Sequence, residues 1–317
     1  MREYYPEVEA VLEHRLEVDG HSVYIEECGD RNGIPVIFLH GGPGSGCQAD
    51  HRRLFDPTRY RIVLFDQRGA GRSRPYGELQ GNTTPKLLED IEAIRKLLAV
   101  EQWLLFGGSW GAALALLYAE QFPRRVNGMI LRGSFLARQR DLDWFFADGV
   151  ARIFPEKWMD FSGLVHPDCH ADLLSAYHEM LTSTEPGQRA LAAQAWSDWS
   201  DSIVTYNLPR GDDAEEQRPD PVMLAHKVEL ECHYAINHYF IRENQILEDI
   251  GSLPEVPIRI IHGRRDLTCP LESGWALKQA LPRAGLDIVE EAGHIAAEPA
   301  MVDALIRATD QFAGILS

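Results

Sequence analysis

The chain has 317 residues, enough to bury a large core but long for one compact domain, so either one domain with a sizeable insertion or two domains are expected. Its 45% hydrophobic and 25% charged residues are ordinary for a globular protein, which excludes a low-complexity or fibrous chain. With 48 acidic against 31 basic side chains the formal charge is −17, which argues against a phosphate backbone as partner, so no nucleic acid is expected.

Five cysteines, Cys28, Cys47, Cys169, Cys232 and Cys269, are odd in number and scattered, without a C-x-x-C pair. Free thiols in a reducing compartment are the simplest reading. The segment Met1 to Glu7 lacks the apolar stretch of a signal peptide, and no run of about 18 apolar residues could span a bilayer. The expectation is a cytoplasmic protein with no membrane partner; the sequence leaves its oligomeric state open.

From Glu13 to Glu27 the pattern alternates and turns at Asp19-Gly20, which predicts a hairpin. Pro35 to Leu39 is a continuous apolar run, the mark of a strand covered on both faces, and it ends in His40-Gly41-Gly42-Pro43-Gly44. A glycine-rich loop after a buried strand offers backbone N–H groups to an anion. Pro43 has none, so Gly42 is the expected donor; no Lys-Ser/Thr follows, which disfavours a P-loop. Arg61 to Phe65 is another buried strand leading into Asp66 to Ser73, a loop that Asp66 and Arg68 are expected to brace by pairing with each other and with backbone groups. Thr84-Pro85 opens a helix with an apolar stripe at Leu87, Leu88, Ile91, Ile94, Leu97 and Leu98.

The run Leu104-Leu105-Phe106 feeds into Gly107-Gly108-Ser109-Trp110-Gly111 and leaves as the Ala- and Leu-rich stretch 112–122. Strand, Gly-x-Ser-x-Gly and helix in that order predict a nucleophile elbow, with glycines where a Cβ would collide with the crossing strand and helix. Val126 to Leu131 is the next strand. Strands and helices alternate, so the sheet is expected to be mostly parallel with helices on both faces. From about residue 136 to 246 buried strands vanish and aromatic, helix-like blocks replace them (Trp144-Phe145-Phe146, Trp158, Tyr177, Trp196, Trp199), interrupted by an acidic loop near Gly211–Asp220. The expected organisation is a core from 1–135, a helical cap over 136–246, and a second core part over 247–317. Strands return at Ile258–Ile261 and Asp287–Val289, with a final helix from about Met301.

A serine hydroxyl attacks a carbonyl only if a base takes its proton, and the base needs a carboxylate to hold its tautomer. After the cap, Asp266 follows a strand in His262-Gly263-Arg264-Arg265-Asp266, and His294 follows the last strand in Ala292-Gly293-His294. The order Ser109, Asp266, His294 is that of the α/β-hydrolase triad, with Gly42 and the Trp110 N–H as oxyanion donors. His262 lies within the strand end and reads as structural. His166 to His170 and the group His226, His233 and His238 lack metal-ligand spacing, so no metal is expected. Dehalogenases and epoxide hydrolases need a carboxylate nucleophile, and this elbow holds serine. A non-catalytic binding protein on a hydrolase fold is the alternative of another class.

The segments His40 to Gly44, Leu54 to Pro57, Asp66 to Ser73, Asn82 to Thr84, Gly107 to Gly111, Leu131 to Gly133, His238 to Phe240 and Gly263-Arg264-x-Asp266 together resemble the proline iminopeptidase family over nearly the whole chain. The resemblance implies an α/β-hydrolase fold, removal of an N-terminal proline from a short peptide or small aminoacyl amide, the triad Ser109, Asp266 and His294, and no cofactor. It also implies cap glutamates that bind the substrate's imino group, one in Trp-x-x-Trp-Glu and one shortly before His-Tyr-Phe. Here Trp196-Ser197-Asp198-Trp199-Ser200 carries Ser200 in the first place, and Asn237 falls near or at the second. Trp199, Ser200, Asn237 and Glu231 are therefore the expected substrate-binding positions. If Ser200 and Asn237 replace both acids, neutral acyl groups should be preferred, as in an esterase or amidase. Asp198, Asp201 or Glu231 would restore the charge from a neighbouring position.

Overall fold

The computed structural model describes residues 1–9, 12–208 and 220–317. Most of the predicted acidic loop near Gly211–Asp220 lies outside the described residues. Among the described residues eight strands form one sheet in the order β1-β2-β4-β3-β5-β6-β7-β8. β1 (Leu12–Val18) and β2 (His21–Gly29) are the predicted hairpin, Val18 facing His21 across Asp19-Gly20, and β2 runs antiparallel to β4 (Tyr60–Asp66). The other neighbours, β3 (Ile34–Leu39), β5 (Trp103–Gly108), β6 (Val126–Arg132), β7 (Ile258–Gly263) and β8 (Gly285–Val289), pair in parallel. The continuous apolar runs of β3, β4 and β5 follow from this: both of their faces are covered, so alternation has no role.

The strands are joined by α1 (Ala49–Arg52), α2 (Thr84–Leu97) and α3 (Trp110–Gln121). On α2, Leu87, Leu88, Ile91 and Ile94 are buried, as is Leu98 just after it, while Leu97, a member of the predicted stripe, is exposed at the last turn. α3 is buried on every side from Trp110 to Ala119, which explains why its sequence has Ala and Leu all round and no polar face.

Between β6 and β7 the described residues form helices and no strand: α4 (Gln139–Phe146), α5 (Pro155–Ser162), α6 (Leu173–Leu181), α7 (Pro186–Val204), α8 (Pro221–Ile236) and α9 (Gln245–Glu248). Their aromatic residues pack on one another. Phe161 stacks between Tyr177 and Trp199 at centroid distances of 4.3 and 5.6 Å, and Trp196 meets Tyr177 at 5.8 Å. These belong to a core separate from the two that flank the sheet. α10 (Leu271–Ala280) and α11 (Pro299–Leu316) complete the chain, α11 starting two residues before the predicted helix.

The helical layer is fastened to the sheet at defined points. The Trp144 indole donates to the Leu267 carbonyl at 2.7 Å, Arg138 joins Asp141 to Glu272, and Tyr234 donates to Asn82 Oδ1 at 2.8 Å. No helix among the described residues is long and apolar enough to cross a membrane.

The loop after β4 departs from the sequence reading. Asp66 and Arg68 do not pair with each other. Asp66 accepts from the backbone of Cys47 and Arg72 and from the Arg72 guanidinium, whereas Arg68 turns the other way and forms a bidentate pair with Asp90 at 2.6 and 2.7 Å. Two residues apart on an irregular loop, the side chains leave in different directions, and each finds its countercharge on another segment. Asp66, Arg68 and Asp90 are buried and Arg72 is partly exposed, and each carboxylate braces the loop that borders the site.

Candidate active site

Ser109 sits between β5 and α3 with φ 58° and ψ −123°, a conformation that L-residues rarely adopt. The flanking glycines permit it. A Cβ on Gly107 would run into the Gly111 carbonyl, and one on Gly111 would run into the carbonyl of Leu39 on β3. The turn thus lifts the serine above the carboxyl ends of the parallel strands, where open α/β sheets bind ligands.

Asp266 and His294 arrive from the loops after β7 and β8. His294 Nδ1 is 2.8 Å from Asp266 Oδ2, while Asp266 Oδ1 accepts from the backbone N–H groups of Thr268 and Cys269 at 3.0 and 2.8 Å. Burial pushes the Asp266 carboxyl up, but His294, its hydrogen bond, His262 and the Cys269 N–H outweigh that and hold it below the ordinary value. Arg132, at the end of β6, donates to the His294 carbonyl at 2.6 Å and fixes the loop. His294 shares the cavity with Ser109 without a hydrogen bond to it; such contacts in hydrolases tighten when substrate binds. His262 is buried behind the acid, with Nε2 2.7 Å from the Cys269 carbonyl, and burial lowers its pKa.

The expected oxyanion donors lie on two loops tied together. Gln67 donates twice to His40, from its backbone N–H to the ring Nε2 and from its side-chain amide to the carbonyl, both at 2.9 Å, and the Trp110 indole donates to Gln67 Oε1 at 3.0 Å. Gly42 has φ 108°, and a Cβ there would press on the N–H groups of Gly44 and Ser45. A Cβ on neighbouring Gly41 would lie 3.3 Å from the Ser109 Cβ, so this loop runs against the elbow. Trp110 opens α3, whose first N–H groups have no intrahelical acceptor.

Above the serine is a cavity of about 430 Å³ lined by residues of the sheet loops and of α4, α7 and α8. Of the four expected substrate-binding positions the structure brings two into it, Ser200 and Glu231, and leaves two outside. Trp199 is buried in the aromatic core of the helices and donates to the Phe145 carbonyl at 3.1 Å. Asn237 is exposed at the end of α8 and donates to the His233 carbonyl. The chain contains His-Tyr twice, at 233–234 and 238–239, and it is the first pair that reaches Asn82, through His233 Nε2 and the Tyr234 hydroxyl. The acid two residues before that pair is Glu231, on the cavity face of α8. Asp201 also lines the cavity, whereas Asp198 is exposed and paired with Gln194.

Glu231 is held in place. The Trp196 indole donates to its Oε2 at 2.9 Å, and Lys227, one turn earlier on α8, stands 3.7 Å from Oε1. Glu231 is the first cause of the raised Lys227 pKa. Lys227, Phe135, Phe145, Phe146 and Cys269 are wall residues that the sequence reading missed. The i, i+4 spacing of Lys227 and Glu231 was the one available signal, since it puts both on a single helix face. Cys269 Sγ is 3.8 Å from Ser109 Oγ, and burial pushes its thiol well up, so it packs as a neutral group.

The family model for the alpha/beta hydrolase fold matches residues 34–299. A proline iminopeptidase of Xanthomonas citri is 45% identical over 315 residues, which cover 99% of this chain and 100% of the relative. One from Xylella fastidiosa is 44% identical with 98% and 100% covered, and one from Arabidopsis thaliana 40% identical with 99% and 83% covered. Among solved structures, an esterase from Rhodococcus superposes with a TM-score of 0.61 at 16% identity over 98% of this chain and 100% of its own. An epoxide hydrolase from Vigna radiata superposes with a TM-score of 0.63 at 19% identity over 98% and 99%. These two share the fold alone, while the sequence relatives give the finer assignment: the chain is a hydrolase and belongs to the proline iminopeptidase family of α/β hydrolases.

Proposed function

We propose that the chain removes an N-terminal proline from short peptides or prolyl amides through an acyl-enzyme on Ser109. The observation that carries this reading is Glu231, a carboxylate oriented by Trp196 in the same cavity as the strained serine. A protonated imino group needs a carboxylate partner when it leaves water, and Glu231 supplies one in the cavity over Ser109.

Asp266 keeps the proton of His294 on Nδ1, so Nε2 is the base. Ser109 Oγ attacks the prolyl carbonyl carbon while its proton passes to Nε2. The oxyanion is held by the Gly42 and Trp110 N–H groups. As the carbon–nitrogen bond breaks, Nε2 returns the proton to the leaving amine; water then attacks the acyl carbon, giving a proton to Nε2, and as the bond to Ser109 Oγ breaks Nε2 passes that proton to Oγ, so that proline is freed and the serine restored. No step calls for a cofactor. The curated relatives at 40–45% identity are named proline iminopeptidases, which supports the prolyl substrate. Ser200 in the cavity wall favours the second reading, an esterase or amidase for a neutral acyl group, but Glu231 is a poor neighbour for such a group. Five cysteines without a disulfide fit a reducing, cytoplasmic setting.

The test is labelling and turnover together. A fluorophosphonate probe should label the wild type and not Ser109→Ala, and the wild type should hydrolyse prolyl arylamide with a burst of arylamine if deacylation is slow. Equal labelling of both proteins, or turnover of neutral esters with none of prolyl arylamide, would overturn the reading.

A further inference from the structure

Helix α8 lies across the glycine loop that carries Gly42. A Cβ on Gly44 would sit 3.2 Å from Leu230 Cδ2 and 3.7 Å from the Lys227 carbonyl. This close seating points the next face of the helix, Lys227 and Glu231, into the cavity over Ser109. The charges there divide into committed and uncommitted. Asp141 is engaged by the Arg138 guanidinium, and Arg132 by the His294 carbonyl. What remains to meet a substrate is Glu231, Asp201 and the Lys227 ammonium. Lys227 is half-buried, and among the described residues it donates no hydrogen bond shorter than its 3.7 Å approach to Glu231.

We infer that Lys227 is a specificity-determining residue: it is a resident counter-cation that competes with the substrate's protonated imino group for Glu231 and weakens the pocket's preference for cationic over neutral acyl groups. Oε2 of Glu231 already accepts from Trp196, so Oε1 is the less occupied oxygen for a substrate cation, and Lys227 stands 3.7 Å from it. Two ammonium groups around one carboxylate repel each other, and Ser200 across the cavity adds no second negative charge to relieve them. Asp201, on the exposed side, accepts from Ser197, and its charge acts on Lys227 without a direct contact.

This inference deepens the prolyl reading and rests on it, and the test keeps the two apart. Steady-state KM is measured for prolyl arylamide and for cyclopentanecarbonyl arylamide, which has the same ring without the nitrogen. In Lys227→Met the preference for the prolyl substrate should rise by roughly 5- to 20-fold, the effect of removing a like charge across a partly solvated pocket. Lys227→Arg keeps the charge and can pair with Glu231 through its fork, so its ratio should stay at or below that of the wild type. No change in Lys227→Met, or the same change in both variants, would overturn the inference while prolyl turnover itself upholds the function. A second arm needs no peptidase activity: prolinol and cyclopentylmethanol compete against p-nitrophenyl acetate. Prolinol should inhibit Lys227→Met more tightly than wild type, and cyclopentylmethanol should not follow. If the wild type cleaves no prolyl substrate, the function fails and this arm alone decides: an unchanged prolinol constant overturns the role of Lys227.

Discussion

The Trp196 indole on α7 donates to Glu231 Oε2 on α8 at 2.9 Å, and this contact aims the carboxylate into the cavity over Ser109. The indole is itself held by its packing against Phe146 at 4.8 Å and Tyr177 at 5.8 Å. Trp196→Phe keeps an aromatic ring in the core and removes the donor. A hydrogen bond to a charged group contributes about 1.5–3 kcal/mol, so KM for prolyl arylamide should rise by roughly 10-fold or more with kcat changed much less. Steady-state kinetics beside a thermal melt separates this from loss of packing.

Asp266→Asn should lower kcat by about 10⁴-fold with little change in KM, because the amide no longer stabilises the imidazolium or selects its tautomer. The same residue sets an acid limb of stability. Its native pKa lies below the ordinary carboxylate value, so its contribution is present above the unfolded pKa, near 3.8, and is lost as pH falls through the lower native value. Denaturant titrations should show the gap between wild type and variant closing in that acid window.

Asn237→Ala should leave kcat/KM for prolyl arylamide within about twofold, since an exposed side chain away from such features has small effects. Ser200→Glu, by contrast, should improve it by roughly 10-fold, the worth of one further charge-assisted contact in the cavity. The pair of variants distinguishes the two positions that the sequence placed on an equal footing.

Glu120 gives a prediction away from the site. It borders a groove with Thr84, Leu117, Gln245 and Asp249, and its Oε1 has no hydrogen-bond partner among the described residues. Burial, reinforced by Asp249, pushes its carboxyl up to about 8. A raised native pKa means that the native state holds the proton between the unfolded value, near 4.5, and 8, so stability falls as pH rises through that window. Glu120→Gln should remove the slope and gain roughly 1–3 kcal/mol at pH 9, solvent screening of the partly exposed group being allowed for. Urea titrations from pH 5 to 9 give the comparison.

Much of the fold was legible because the physics is local. Continuous apolar runs marked the doubly covered strands, glycines at 107 and 111 marked a turn where backbones nearly touch, and Asp19-Gly20 marked the hairpin. The gathering of Ser109, Asp266 and His294 could be read because each follows a strand end. The helical layer between β6 and β7 could not be read in the same way. Its helices are aromatic on several faces, so periodicity does not say which side meets the cavity. Trp199 and Trp196 are three residues apart, yet Trp196 points its N–H at Glu231 and Trp199 points its own at Phe145. The two His-Tyr pairs made the register ambiguous by five residues, which only the contacts of His233 and Tyr234 with Asn82 resolve. Pairing across loops was equally hidden: Arg68 reaches Asp90 on α2, a partner 22 residues away that no spacing rule selects.

The most direct test of the account is kcat/KM for prolyl arylamide and cyclopentanecarbonyl arylamide in the wild type and in Glu231→Gln. The amide keeps the shape and the contact with Trp196 but loses the charge. The wild type should prefer the prolyl substrate, and Glu231→Gln should lose roughly 10- to 150-fold on it, with a much smaller change on the neutral analogue. Equal losses on the two substrates, or a wild type that prefers the neutral ring, would contradict it.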